Sequence, residues 1–537
     1  MLVICTIIIA YFFYKATKRS PLWHIPGPKS NSFILGNLCE LYQTPTGSTE
    51  FEWQETYGGI VRFKGSFGSD QLMITDPKAL QHIFQGTDYK WRKSSTRREY
   101  ARLISGRGLT WADGDVHKRQ RKIMLPGFSA PAAKNLLPFF ASCAANLCSR
   151  WADIISTSSQ QFEVLNIPEW TSRATLDVIG QTLFDYDFEA ISNEHNELVK
   201  HYRSLMAKIF GNPSKASLLM LELFKYFPPW FMEFMNDRNP RFAPLHRLSQ
   251  VATNTAKKLV TNKFDELREG KNKKDIMTLL VQANTDVSHN IKSRLSEEEL
   301  LACMQALMFA GHETTANTLT WMLYELARSP RLQERLRAEI RCTEQRIMSR
   351  RDAEITIQDL ESMPLLGAVV KETLRFHTVS INMGRTSVED DILPLSKPIT
   401  TKTGEILQEI PLPKGTTIYA SISAYNRNKD IFGDDACMFN ADRWLESGHV
   451  ATGVCSMGVY ANLATFSAGV RSCVGWRFAV LELQTFLFEL IRSFEFTTTP
   501  ALNDIQRMSA FVMIPSVRGE LSQMPLRVAS APKDDEY

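Results

Sequence analysis

Among the nine cysteines of the chain, Cys473 has a setting that the other eight lack. In FSAGVRSCVGWRFAV, Phe466 to Val480, it lies between Gly469 and Gly475, two residues after Arg471, and an apolar helical pattern follows at once. A thiolate that binds a metal needs hydrogen-bond donors and positive potential to hold its charge. Flanking glycines let the backbone fold tightly and turn N–H groups toward the sulfur. A helix starting near Gly475 adds the partial positive charge of its N-terminus. Val480, Leu481, Leu483, Phe486, Leu487, Leu490 and Ile491 recur at helical spacing and would bury that helix. Arg471 is then placed to pair with an anionic group of a bound cofactor. A lone buried cysteine usually behaves as a small hydrophobe, but Phe-x-x-Gly-x-Arg-x-Cys-x-Gly is too specific a spacing for that.

Those five positions, Phe466, Gly469, Arg471, Cys473 and Gly475, resemble the haem-binding signature of the cytochrome P450 superfamily of haem-thiolate monooxygenases. The resemblance implies haem b with Cys473 as axial thiolate, a ligand that pushes electron density toward iron and favours O–O cleavage.

Three other stretches agree with it. In KETLR, Glu372 and Arg375 are three apart and share a helical face. An exposed pair of this kind is worth little; the resemblance implies a buried one, completed by Arg443 in FNADRW. Ala441 stands where the family usually has proline. Ala310-Gly311-His312-Glu313-Thr314-Thr315 resembles the oxygen-binding motif. There the small Ala310 and Gly311 would let the helix approach the haem, Thr314 would order water and hydrogen-bond dioxygen, and Glu313 would relay protons. A Thr-Thr pair in a core helix can also simply bond back to the preceding turn. For the two haem propionates the resemblance implies His117 and Arg121 on one helical face, Arg385, and Arg471. His117 stands where many members carry tryptophan, Thr378 replaces a common proline, and Asn426 replaces a frequent histidine. Lys118 and Arg119 fall on other faces and are expected to be solvated or to face a reductase.

The elements that must position these residues can be read more coarsely. Ser296 and Glu299 form a capping box and Pro330 stops the pattern. About thirty residues between them read as one long helix, with Gly311 costing about 1 kcal/mol relative to alanine. Ile60–Gly65 and Gln71–Asp76 read as strands around a Gly-Ser turn, and Asp76-Pro77 as a helix start. From about residue 110 the chain reads as mostly helical, broken by the charged run Arg268–Asp275. Further β-type stretches lie at Lys414–Ser423 and Phe511–Val528. The expected fold is mainly α with minor β sheets, the cytochrome P450 fold by resemblance. Since the motifs span residues 20 to 530, one catalytic domain over 31–537 replaces the two or three domains that length alone suggests.

Net charge is +4, and nothing indicates a nucleic-acid partner. The cysteines lack C-x-x-C spacing, which disfavours a disulfide framework or zinc site. Leu2–Tyr14 is an uncharged apolar run followed by Lys15, Lys18 and Arg19. As a helix its 13 residues would span about 20 Å, short of the roughly 30 Å hydrocarbon core. With the basic cluster after it, it reads as a single-pass N-terminal anchor (residues 1–14) that keeps the rest cytoplasmic, followed by a basic, proline-rich hinge over 15–30. The resemblance extends this to the endoplasmic reticulum membrane. Leu218–Met235 is apolar and aromatic; the plainer reading is a core helix pair broken at Pro228-Pro229, the other an exposed lip that admits substrate. No flavin or dinucleotide fingerprint appears. The resemblance therefore implies electrons from NADPH through a separate cytochrome P450 reductase, cytochrome b5 being a second donor. The substrates would be O2 and a hydrophobic small molecule of terpenoid, steroid or polycyclic aromatic type, as in fungal secondary metabolism. Haem-thiolate isomerases or dehydratases tend to lack the acid–alcohol pair, and a haem sensor would not need it.

Overall fold

The computed structural model describes residues 20–86, 89–193, 198, 202, 205–224, 226–269, 276–285, 294–350, 354–445 and 457–532. Long helices dominate, with several small sheets around them. The central helix Glu297–Arg328 opens on the expected capping box: Ser296 N donates to Glu299 Oε2 at 2.9 Å and Glu299 N to Ser296 Oγ at 3.1 Å. It is buried almost throughout, because Ile167–Ile179, Leu137–Thr157, Pro364–Phe376 and Trp476–Ser493 pack around it or one another. Gly311 pays its helix cost here. A Cβ at that position would lie 2.2 Å from Ile179 Cδ1, so the missing side chain serves close packing of two helices.

The largest sheet joins distant parts of the chain. With β1 Ile60–Lys64, β2 Asp70–Ile74, β3 Trp91–Lys93, β4 Asn382–Ser387 and β5 Thr417–Ser421, the order is β1-β2-β5-β4-β3. β2 and β5 run parallel and the other pairs antiparallel. The register sets Lys93 of β3 beside Arg385 of β4, which brings two cations together from nearly three hundred residues apart. The expected helix start at Asp76-Pro77 is present, Asp76 Oδ1 accepting from Ala79 N at 2.9 Å.

Some expectations needed correction. Phe162–Asn166 is a strand inside the stretch read as helical; it pairs with Pro525–Ser530, which also pairs with Phe494–Thr498. Asp391–Thr400 and Ile406–Leu412 form a hairpin that the sequence pattern did not show. The described part of the hinge is packed: Leu22 and Ile25 are buried, and Pro26 O accepts from Arg62 N at 2.8 Å. The proposed anchor Leu2–Tyr14 lies outside the described residues, and among those described no helix is long and apolar enough to cross a membrane. Leu218–Met235 does break at Pro228-Pro229, into Lys215–Phe224 and Pro229–Asp237. It is not the core pair of the plainer reading, however: Phe227, Trp230 and Phe234 are exposed, Trp230 by 66%.

Candidate functional site

The loop before the last long helix is held by its own backbone. Ser472 N donates to Gly469 O at 3.0 Å and Cys473 N to Phe466 O at 2.8 Å. Gly469 has φ +62°, and a Cβ there would meet Phe84 O at 2.1 Å, so only glycine fits. Gly475 caps the helix Trp476–Ser493 and turns its N–H to the Cys473 sulfur. Burial pushes the Cys473 thiol up, while the Gly475 N–H and the Arg121 guanidinium pull it down. Cys148 and Cys303, thiols held by burial at about 12, are closed in the core. Cys473 instead keeps an accessible surface although Phe466, Ser472 and Phe478 around it are buried. Ala310 is the same kind of exception: it is exposed directly after Leu300–Phe309, all buried. Cys473 and Ala310 thus keep accessible surface within buried surroundings, as an axial ligand and a distal wall would need.

Beside Cys473 lies a cationic cluster. Arg121 donates to Ser472 O at 2.5 Å and to Ser472 Oγ at 3.0 Å. Arg471 pairs with Asp113, donates to Trp91 O at 3.1 Å and covers the Tyr89 ring at 4.5 Å. His117 Nδ1 is 2.9 Å from the Tyr89 hydroxyl. Lys93 Nζ donates to the carbonyls of Leu109, Thr110 and Ala112. Among the described residues Arg385 donates only to Gly384 O, at 2.9 Å, and lies over the Phe84 ring. Nε of both Arg385 and Arg471 is buried without a partner among the described residues. Asp113 is the one carboxylate that pairs within the cluster among the described residues. The crowding shows in the titration of its members. Arg385 is pushed down to about 9 by burial and then by Arg471 and Arg97. His117 is pushed down to about 3 by burial and by Lys93, Arg471 and Arg121, and burial lowers Lys93 strongly. Buried cations in such excess call for anions, and two carboxylates of a haem would fit them.

The second buried cluster is complete. Arg375 Nε and Nη2 grip Glu372 at 2.8 and 2.7 Å, and its other donors reach Asn426 O, Ala436 O and Met438 O. Arg443 Nε donates to Glu372 at 3.3 Å and Nη1 to Asp435 at 2.7 Å. Trp444 Nε1 and Asn440 N add bonds of 2.9 and 2.7 Å. The side chains of Glu372, Arg375 and Arg443 are all fully buried. Ala441, in the usual proline position, begins a short helix capped by the Asn440 side chain. The two other departures meet at Thr465: Asn426 Nδ2 donates to Thr465 Oγ1 at 2.8 Å, and Thr378 Oγ1 lies 3.3 Å from it.

On the central helix Thr314 Oγ1 donates to Ala310 O at 2.8 Å, the back-bonded geometry. Glu313 receives Asn317 Nδ2 at 3.3 Å and lines a polar cavity of about 80 Å³ with Glu169, Arg173, Tyr202 and Asn317. Arg119 is not free for a partner surface: it grips Glu299 of the capping box at 2.6 and 3.0 Å. Sequence reasoning missed Lys93, Asp113 and Tyr89, which only the fold brings to the site. It also missed Glu482, fully buried on the cysteine helix, whose carboxyl burial holds well above the usual range; the Thr315 hydroxyl is the group that favours its charged form.

The Cytochrome P450 family model matches residues 26–521. Curated relatives align along nearly the whole chain. Cytochrome P450 monooxygenase 205 of Postia placenta is 31% identical over 95% of this chain and 93% of its own length. Cytochrome P450 monooxygenase claU of Ampulloclitocybe clavipes is 32% identical over 94% and 92%. Ganoderic acid synthetase CYP5150L8 of Ganoderma lucidum is 30% identical over 91% and 90%.

Proposed function

The chain belongs to the cytochrome P450 family, is a monooxygenase that uses haem b with a cysteine thiolate, and from that premise we propose how its residues divide the work. The observation that carries the reading is the pairing of one accessible interior sulfur with a buried cationic cluster in which cations outnumber the single paired carboxylate, Asp113, among the described residues. Cys473 is the thiolate ligand, in a loop shaped by Phe466, Gly469 and Gly475. His117, Arg121, Arg385 and Arg471 hold the two propionates. Haem, when bound, supplies the activation of O2 and the insertion of one oxygen atom into substrate.

The protein supplies position, protons and exclusion of water. Glu313 takes a proton from the polar cavity beside Tyr202 and Asn317. Thr314 passes it inward after rotating off the Ala310 carbonyl. Ala310 leaves room beside the helix, whereas Gly311 belongs to the contact with Ile179. Glu372, Arg375 and Arg443 fix the loop leading to the cysteine. The substrate is a hydrophobic small molecule of terpenoid, steroid or polycyclic aromatic type in fungal secondary metabolism. Electrons come from NADPH through a cytochrome P450 reductase, with cytochrome b5 as a second donor. Leu2–Tyr14 anchors a single catalytic domain at the endoplasmic reticulum membrane, and the exposed Phe227, Trp230 and Phe234 form a lip against the same bilayer.

The test is turnover with reductase, NADPH and isotopically labelled dioxygen across a panel of such molecules. One labelled oxygen atom in product is expected. Thr314→Ala should keep consuming NADPH while product per NADPH falls several-fold. Product formed without NADPH would favour an isomerase or dehydratase instead.

A further inference from the structure

A cavity of about 660 Å³ lies between the β1–β5 sheet, the helix Ser95–Ser105, the helix pair of the apolar lip and the hairpin Ile505–Val517. Its walls are largely apolar: Ile209, Phe210, Leu221, Ile381 and Phe511 contribute. Cys473 and Thr314 do not line it. It abuts the central helix through Phe511, whose ring lies 5.8 Å from that of Phe309, the residue before Ala310.

Among the described residues Arg97 stands in this wall with no ion pair, and its one aromatic contact is the Phe511 ring at 5.7 Å. Its backbone N–H is the third position of its helix, bonded to the Ser94 cap at 3.3 Å, and that first turn holds no acidic residue. The neighbouring Thr96 hydroxyl is buried without a partner. Arg241, a second cation of the wall, is satisfied by Ile209 O and Ser217 Oγ, and the carboxylate of the wall, Glu222, receives the Ser66 hydroxyl at 2.7 Å. Burial lowers Arg97 and the phenol of Tyr42 is the one group that raises it. An unpaired guanidinium in an apolar chamber is costly unless an anion arrives to meet it.

We propose that Arg97 is a specificity-determining residue that binds the carboxylate of an otherwise hydrophobic substrate, so that oxidation falls on the part of the skeleton remote from the acid. The carboxylate meets Arg97, and the apolar body runs past Phe210 and Phe511 toward Phe309. The inference rests on the monooxygenase reading only in taking this chamber as the one substrate occupies.

The test uses haem-loaded full-length protein and equilibrium dialysis with matched acid and methyl-ester pairs of three skeletons: dodecanoic, dehydroabietic and ursolic. For at least one skeleton the acid should bind about tenfold or more tightly than its ester, the scale of a charge-assisted contact. Arg97→Gln should bring the pair to parity by weakening the acid alone, and Arg97→Lys should restore most of the preference. Equal or absent binding of acid and ester for every skeleton overturns the proposal, as does a preference that survives Arg97→Gln. Haem content and the reduced, CO-bound spectrum of the same samples keep the two readings apart. A missing thiolate band sinks the haem assignment while the acid-to-ester ratio still stands or falls alone. Haem loss in Arg97→Gln with the preference intact reassigns Arg97 to the cofactor and overturns the proposal.

Discussion

Two of the buried charged clusters among the described residues are built on opposite rules. Around Glu372 the donors of Arg375, Arg443, Trp444 and Asn440 converge on one carboxylate, and their remaining donors find Asp435 and backbone carbonyls. Around Cys473 the cations Lys93, Arg121, Arg385 and Arg471 face one carboxylate, Asp113, which pairs with Arg471, and two guanidinium nitrogens have no partner among the described residues. The first cluster is finished by folding. The second is finished only by something anionic, which separates a structural brace from a receptor.

Breaking the brace should have the largest effect. Glu372→Ala strands two buried guanidinium groups, and removal of one partner from such a pair costs about 3–5 kcal/mol. The urea midpoint of unfolding should collapse, or the chain should fail to accumulate folded. The same operation on the receptor should have the opposite sign in the bare protein. Arg385→Met removes a crowded cation, so the thermal midpoint of haem-free protein should hold or rise. Haem retention should fall about tenfold, the scale of one charge-assisted contact. If Arg385→Met destabilises the haem-free chain as Glu372→Ala does, the distinction between the clusters is lost.

His117 sharpens the comparison through pH. Unfolded histidine takes a proton near pH 6.5, whereas folded His117 resists it to about 3. Between those values the unfolded chain binds more protons, so stability of haem-free protein should fall as pH drops from about 6.5 toward 3. Haem propionates would favour the imidazolium, so the haem-loaded protein should lose less over that window. Thermal melts across pH, with His117→Phe as reference, measure the difference; equal losses with and without haem would contradict it. The smallest effect belongs to the loop of the brace. Asn440→Ala removes the cap that stands in for the usual proline and should cost about 1 kcal/mol by urea denaturation.

The brace was more legible in the sequence than the receptor, for a physical reason. Glu372 and Arg375 are three apart on a helix, a spacing that local geometry turns into a contact. The cysteine loop and the capping box of the central helix are local in the same way. Lys93 has no such signal, because strand pairing across nearly three hundred residues sets it beside Arg385. Gly311 belongs to a motif that suggests room for haem, yet its missing Cβ faces Ile179 of another helix, a contact only the packed fold reveals. Phe162–Asn166 was hidden for a related reason: its partners come from residues 494–498 and 525–530. The aromatic lip shows that apolar composition does not itself fix burial.

The central claim is that Cys473 is the haem thiolate, and a reduced, CO-bound difference spectrum tests it most directly. Haem-loaded wild-type protein should show the thiolate-type Soret band, and folded Cys473→Ser protein should retain no such band. A thiolate-type band that persists in Cys473→Ser, or its absence from folded, haem-loaded wild type, would contradict the account.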